Sequence, residues 1–420
     1  MAKEFLIAKF DENEKNRQWN AIFQSIENLS TKQERVLKLS TRIAHSWQNA
    51  DKNRYRNVSA YDCSRVVLKK ISDEQSDYIN ASPLSLPSAK RNYILTQGPL
   101  PSTCSDFWQM VWEQGCTLIV MLNKVVEKNL VKCHEYFATN EQPARVFGSF
   151  EVRLKEEERY EHYIIRTLEL SRVADHDAND NSNESSSVSS SNVPNAFSSE
   201  PKRTLLHFQF ISWPDFGVPH CSRVFLDFLD RVRTTGRLEQ PSPVVVHCSA
   251  GIGRSGAFVV VDSVLSMINE NVTSIDMEEL VVKMRRYRMG LIQTPQQLQF
   301  CWRTIAEALK LERSEAVRSG EREEEGQKAQ CSSSLSIANE TNKFIDPRPT
   351  GILASSTARS DGGPPHLERS AANQMTSGQQ AKSLNDIITA VRKRSSGEQF
   401  ESEEDAKYAR RLVLCSLFSF

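Results

Sequence analysis

Apolar positions recur with helical spacing near the start of the chain. Trp19, Ile22, Phe23 and Ile26 fall at i, i+3, i+4 and i+7, so packed structure is expected from about residue 15, opening with an amphipathic helix. Short continuous apolar runs then mark buried strands at Leu118-Ile119-Val120-Met121-Leu122 and at Val244-Val245-Val246. Leu206, Phe208 and Phe210 alternate, the period of a half-buried strand just before Trp213. Phe225, Phe228, Leu229 and Val232 return to helical spacing. Three further helices are predicted. One starts near Gly253 with Phe258, Val261, Leu265 and Ile268 on one face, and another carries Met277, Leu280, Val281 and Met284. The third has Thr294 as N-cap and Pro295 at its first position, then Leu298, Trp302, Ile305 and Leu309. Mixed strands and helices around a central strand–loop–helix argue an α/β (α+β) fold.

Two segments break the pattern. Residues 179–200 hold nine Ser and five Asn among 22 positions, which reads as a solvated loop insertion spanning about 172–201. From about Arg313 the chain is rich in Ser, Gln, Glu and Arg without sustained periodicity, so 313–420 reads as a mostly disordered tail. Leu384, Ile387, Ile388 and Val391, and the terminal LVLCSLFSF, are read there as incidental apolar residues, with short ordered elements as the alternative.

Composition narrows the function classes. A hydrophobic share of 39% fits a chain that is partly unfolded. No run reaches the roughly 18–20 apolar residues that cross a bilayer, so no transmembrane anchor is expected. The opening MAKEFLIAKFDENEK lacks the apolar core of a signal peptide. Lys+Arg and Asp+Glu both number 53, which removes a whole-chain basic field for nucleic acid. The nine cysteines contain no C-x-x-C pair, so neither a metal knuckle nor a disulfide scaffold is expected, and the compartment reads as reducing.

The chemistry is concentrated at 244–256, VVVHCSAGIGRSG. A buried strand ends at His247. Cys248 opens a loop of small residues, and Arg254 and Ser255 lead into a helix. Such a loop can turn successive backbone N–H groups inward at a helix N-terminus, making an anion cradle. Arg254 adds a planar fork that matches a phosphate. Helix N-termini and adjacent cations favour the thiolate form of a cysteine, so the groups that bind phosphate would also create a nucleophile.

HCSAGIGRSG resembles the signature loop of the protein tyrosine phosphatases. KNRYRNV at 52–58, DYINAS at 77–82, NYILTQGPL at 92–100, FWQMVWEQ at 107–114, WPDFGVP at 213–219 and GLIQTPQQLQF at 290–300 carry the same resemblance. It spans about residues 15–312 and is closest to the non-receptor subfamily containing the one-B and T-cell enzymes. The resemblance implies a highly twisted mixed sheet with helices on both sides. It also implies a catalytic domain at 1–312, followed by a regulatory tail.

The resemblance assigns roles residue by residue. Cys248 attacks phosphorus. Arg254 and the backbone of Ser249, Ala250, Gly251, Ile252, Gly253 and Arg254 hold the equatorial oxygens. Ser255 assists departure of the sulfur. Asp215 is the general acid on a loop that closes over substrate, with Trp213 at its start. Gln293 and Gln297 position the hydrolytic water. Glu127 and Lys132 hold Arg254 and the closed acid loop, a solvated ion pair being the plainer alternative. Tyr55 stacks on the substrate ring, Phe216 packs on it from the closing loop, and Arg56 and Asn57 sit at the rim. His247 orients the loop, the alternative being a general base. No cofactor or metal is implied. The partners are phosphotyrosine-containing proteins, the chain is a monomer, and the location is cytoplasmic, with nuclear or peripheral endoplasmic-reticulum association left open.

The sequence also departs from the subfamily. Asn57 stands where an Asp usually grips the peptide backbone. Arg285 matches one arginine of a second phosphotyrosine pocket, but Glu27 sits where the other would be, so that pocket is expected to be lost. Pro295 replaces a usual Ala. Two other readings stay open: a phosphotyrosine-binding protein without turnover, and a dual-specificity or lipid phosphatase. The presence of Cys248, Arg254 and Asp215 together weighs against the first. Tyr55 and the uncharged SAGIG weigh against the second.

Overall fold

The computed structural model describes residues 2–70, 72, 74–173, 201–214 and 217–314. Asp215, Phe216, most of the Ser/Asn-rich insertion and the tail from 315, with its two apolar segments, lie outside the described residues. An eight-stranded mixed sheet organises the rest. Its strands are β1 (Ala81–Leu86), β2 (Arg91–Thr96), β3 (Leu118–Met121), β6 (Ala144–Phe147), β7 (Phe150–Arg159), β8 (Tyr163–Arg172), β9 (Arg203–Phe210) and β10 (Val244–His247), and the spatial order is β1-β2-β10-β3-β9-β8-β7-β6. The centre is parallel: β10 runs between β2 and β3, and β3 pairs with β9. Both flanks are antiparallel. A separate two-stranded hairpin, β4 (Val126–Glu127) with β5 (Leu130–Val131), stands apart from the sheet.

The pleat sorts side chains to two cores. On one face α3 (Cys104–Glu113) lays Phe107, Trp108 and Val111 against Ile119, Met121, Ile94 and Val245. On the other, Phe208 and Phe210 of β9 meet Phe225 and Phe228 of α4 (Ser222–Arg233), Phe258 of α5 (Gly253–Asn269) and, through Phe225, Phe300 of α7 (295–314). Helix α6 (Met277–Met284) is capped by Asp276, whose carboxylate accepts the N–H groups of Glu278 and Glu279. The cap at Thr294 is also present, its hydroxyl accepting the Gln297 N–H at 3.1 Å. The mixed sheet with flanking helices and each predicted apolar element therefore stand.

One boundary moves. Packed structure begins well before residue 15: α1 (Ala2–Asn16) precedes the predicted helix, which is α2 (Trp19–Leu37). Helix α1 buries little beyond Leu6 and Asn13. It is held to α7 by polar pairs, Lys3 with Glu312, Asp11 with Lys310 and Glu14 with Gln299. Such a helix leaves no apolar stripe for a periodicity reading to find. Among the described residues no helix is long and apolar enough to cross a membrane.

Candidate active site

The site lies outside the carboxyl end of the parallel strands, where open α/β sheets place their ligands. Strand β10 ends at His247 and α5 starts at Gly253, leaving residues 248–252 to cross between them. The loop's carbonyls are pinned outward one after another. The Cys248 carbonyl faces His247 Nδ1 at 3.1 Å. The Ser249 carbonyl accepts the Gly98 N–H at 3.0 Å. The Ala250 and Gly251 carbonyls accept Arg288 Nη2 and Nε at 3.0 and 2.8 Å. In a trans peptide the N–H points opposite to the C=O, so the N–H groups of residues 249–252 are turned to the inner side. The Gly251 N–H reaches the Cys248 sulfur at 3.2 Å. Cys248 is only 4% exposed, so its sulfur is almost wholly shielded from solvent.

Gly251 is required by both conformation and space. Its φ is +71°, and a Cβ there would lie 2.0 Å from the Thr96 carbonyl oxygen. Gly253 serves a different purpose: a Cβ would strike the Gln293 and Gln297 amides at 2.5 and 2.9 Å. Those two glutamines therefore lie directly over the end of the loop. They are joined to each other, since the Gln293 N–H donates to Gln297 Oε1 at 2.8 Å.

Arg254 is aimed by a carboxylate. Its Nη1 and Nη2 meet Glu127 Oε1 and Oε2 at 2.6 and 2.9 Å, a two-pronged, charge-assisted pair that is almost fully shielded. It also donates to the carbonyls of Leu122 and Pro214. The second contact ties the arginine to the segment that carries Asp215. Trp213 anchors that segment, buried against Phe210, Phe225 and Phe300, with its indole N–H on the Gly217 carbonyl. Ser255 is fully buried, and its hydroxyl has no hydrogen-bond partner among the described residues.

The rim is tied to the floor. Ser249 donates to the Lys132 carbonyl at 2.8 Å, so the Tyr55 hydroxyl, also 2.8 Å from Ser249 Oγ, is the donor in that pair. Lys132 thus meets the loop through its backbone. Arg54 fixes the Tyr55 segment from below, donating to the Gly98 and Pro99 carbonyls at 2.9 and 2.7 Å. Tyr55 is half-buried, while Arg56 and Asn57 are exposed.

Sequence reasoning missed the support behind the loop. Arg288 is fully buried, and loss of hydration pulls its pKa down to about 10. Tyr136 sits 2.6 Å from His247 Nε2. His247 is completely buried, and desolvation pushes its pKa down to about 4, so it is a neutral ring facing Tyr136 and the Cys248 carbonyl. Both ring nitrogens are thereby spent, one on Tyr136 and one on the Cys248 carbonyl. Arg285 is committed elsewhere. It holds the Leu291 and Ile292 carbonyls, with Ile292 in a left-handed conformation at φ +64°, and pairs with Glu27 at 2.7 Å. Among the described residues no cluster of His, Cys, Asp and Glu has the arrangement to hold a metal.

The protein-tyrosine phosphatase family model matches residues 49–307. The human tyrosine-protein phosphatase non-receptor type 2 is 40% identical over 304 residues, covering 72% of this chain and 65% of that protein. The Drosophila melanogaster tyrosine-protein phosphatase non-receptor type 61F is 36% identical over 302 residues, covering 71% of this chain and 50% of the relative. The Caenorhabditis elegans Lar-like tyrosine-protein phosphatase is 38% identical over 293 residues, covering 69% of this chain and 12% of the relative. The matched region thus spans a little under two thirds of the human relative's length and a smaller part of the other two. A cysteine-bearing cradle at the end of the parallel strands of a mixed sheet, and this run of relatives, lead to one conclusion: the chain belongs to the protein-tyrosine phosphatase family.

Proposed function

We propose that the chain hydrolyses phosphotyrosine in proteins in two steps, through a cysteinyl phosphate. The observation that carries this is the pinning of four successive carbonyls, 248–251, away from the cradle. It fixes four N–H dipoles where phosphoryl oxygens gain charge in the transition state, with no reorganisation during reaction. In the first step the Cys248 sulfur attacks phosphorus, the S–P bond forms and the P–O(aryl) bond breaks. Asp215 gives its proton to the departing phenolate oxygen. Arg254, still held by Glu127, turns its free Nε–H and one Nη–H released from the Pro214 carbonyl onto two phosphoryl oxygens. In the second step water held by Gln293 and Gln297 attacks phosphorus, Asp215 takes its proton, the S–P bond breaks and inorganic phosphate leaves. The unpartnered Ser255 hydroxyl supplies a hydrogen bond to the departing sulfur.

Substrate class follows from depth. We read the buried Cys248 and the half-buried Tyr55, tied to the loop through Ser249, as floor and lip of a deep substrate slot, so a phosphate on a long, flat aryl stem reaches the sulfur and a phosphoserine phosphate does not. Phe216, Arg56 and Asn57 meet the ring and the flanking peptide. The Glu27–Arg285 pair supports the reading that the second phosphate pocket is closed. We place the work of the domain, taken as 1–312 with 313–420 as a regulatory tail, in tyrosine-kinase signalling, acting as a cytoplasmic monomer on phosphotyrosine-containing proteins. The seven described cysteines are all free thiols, which suits a reducing compartment.

The test is turnover of matched phosphotyrosine and phosphoserine peptides by the purified chain under reducing conditions. Phosphate release from the first alone is expected, lost in Cys248→Ser. Asp215→Ala should slow release while retaining bound peptide. Equal release from both peptides, or none from either, overturns the reading.

A further inference from the structure

Behind the cradle runs a line of buried polar side chains that the two chemical steps do not use. Glu157 on β7 accepts Arg166 Nε at 2.7 Å. Arg166 on β8 extends Nη1 to His207 Nδ1 at 3.4 Å and to Gln209 Oε1 at 2.9 Å. His207 on β9 brings Nε2 to the Tyr136 hydroxyl at 2.9 Å, and that hydroxyl lies 2.6 Å from His247 Nε2. The line ends where His247 Nδ1 meets the Cys248 carbonyl. Arg166, His207, Tyr136 and His247 are all buried.

Only one placement of protons fits. A carbonyl only accepts, so His247 Nδ1 carries a hydrogen. The ring is neutral, so its Nε2 is bare and takes the Tyr136 O–H. The Tyr136 oxygen is then free to accept, and His207 Nε2 carries the hydrogen that it accepts. At the far end a guanidinium only donates, so His207 Nδ1 is bare. Burial and Arg166 hold that ring neutral as well. Arg166 is itself fixed, by Glu157 on one side and by the Phe137 ring 4.3 Å beneath it. The two ends of the line thus impose the same direction on everything between them.

We propose that Arg166 and His207 are positioning residues for the reaction, setting the tautomer of His247 through Tyr136 and so aiming the Cys248 carbonyl and the cradle N–H that follows it. Without the donor at His207 Nδ1, that ring can turn over its tautomer and draw the Tyr136 hydrogen to itself. His247 Nε2 then has no donor, and the first carbonyl of the cradle loses its fixed partner.

The rate part of the test rests on the phosphatase reading, but the tautomer part does not. Nitrogen-15 histidine spectra of the intact chain at pH 7 should show His207 protonated at Nε2 and His247 at Nδ1. His207→Leu should lower kcat about tenfold with KM nearly unchanged, the loss of one buried hydrogen bond. His207→Gln, which keeps an N–H for Tyr136 and an oxygen for Arg166, should recover most of that loss. The opposite tautomer at either histidine overturns the proposal even if His207→Leu fails to fold. Equal damage from Leu and Gln also overturns it. A native chain that releases no phosphate counts against the phosphatase reading, and the tautomers still decide this one.

Discussion

The Cys248 loop has two sides, and they are built on opposite principles. Its rear is dry and polar: Arg288, His247 and Tyr136 are buried, and each spends its hydrogen-bonding groups on a fixed partner. Its front, at Tyr55, Arg56 and Asn57, is half-buried or open, and only Tyr55 is tied to the loop. A buried hydrogen bond to a charged group contributes more than an exposed one, and leaving its partner unpaired costs more. The rear therefore fixes where the backbone N–H groups point, and the front decides what is offered to them. Damage at the rear should reach every substrate. Change at Arg56 or Asn57, outside the ring, should reach only substrates with a peptide around the phosphotyrosine.

The largest break is expected at Arg288. Arg288→Met keeps much of the volume but leaves the Ala250 and Gly251 carbonyls and the Asn80 side-chain oxygen without this donor. At about 1–3 kcal/mol for each of the two fully buried groups left unpaired, and less for the part-buried Ala250 carbonyl, the fold should lose roughly 2–6 kcal/mol. Turnover of a small aryl phosphate should fall at least about a hundredfold, as expected for misdirected transition-state donors. Urea denaturation and steady-state rates check both. A variant that kept normal turnover would show that the carbonyls do not need this clamp, and the contrast between rear and front would lose its main support.

A smaller break lies between the two sides, at the carboxylate that aims Arg254. Glu127→Gln retains the shape but removes the charge from a two-pronged pair. About a tenfold loss in kcat/KM is expected for peptide and aryl phosphate alike, since charge-assisted pairs are roughly twice as strong as neutral ones. A loss confined to peptide substrates would move Glu127 from the aiming machinery to the rim.

Acid probes the rear without a mutation. The buried His247 ring has a folded pKa of about 4 against about 6.5 in an unfolded chain. Above pH 6.5 both states hold a neutral ring and nothing changes. As pH falls below 6.5 the unfolded chain takes a proton that the folded chain refuses, so stability drops through the window from 6.5 to about 4 and levels off below it. His247 alone accounts for roughly 3 kcal/mol at full effect. His207, lowered by burial and by Arg166, pulls the same way. Urea midpoints at pH 7, 6 and 5 should fall in that order; a flat series would mean that the rings are hydrated or already charged.

The same division explains what the sequence disclosed. The front face of the chemistry lies in contiguous stretches: HCSAGIGRSG declares an anion cradle by residue type and spacing, and WPDFGVP and KNRYRNV are found by their resemblance to the phosphatases. The rear is assembled from β9, β10, the segment after β5 and the turn after α6, and apart from His247, which opens HCSAGIGRSG, none of its members is marked locally. Arg285, Arg286 and Arg288 lie within four residues, and only contact decides that Arg288 clamps the loop, Arg285 holds Leu291 and Ile292, and Arg286 does neither. The outer strands were hidden for another reason. β7 reads FEVRLKEEER, too charged for an apolar alternation, and a register shift between Leu154 and Glu156 breaks what period remains. Periodicity reports faces that meet an apolar core, so charged outer strands and polar clamps escape it.

The smallest expected effect sharpens the front. Asn57 is exposed beside Tyr55, where on the proposed reading its amide would meet the substrate backbone with a neutral hydrogen bond. Asn57→Asp supplies a carboxylate acceptor of nearly the same shape. A charge-assisted bond at a partly wet site should gain about 0.5–1 kcal/mol over the neutral one, which lowers KM for a phosphotyrosine peptide about two- to fivefold. The small aryl phosphate has no peptide N–H to offer, so its KM and kcat should stay where they are. Fold stability should not move, because no buried group is touched. Parallel rate curves on the two substrates separate the outcomes. A gain on the aryl phosphate as well would mean that position 57 acts through the proposed slot itself, and the boundary between the side that fixes the cradle and the side that selects the substrate would have to be drawn beneath Tyr55.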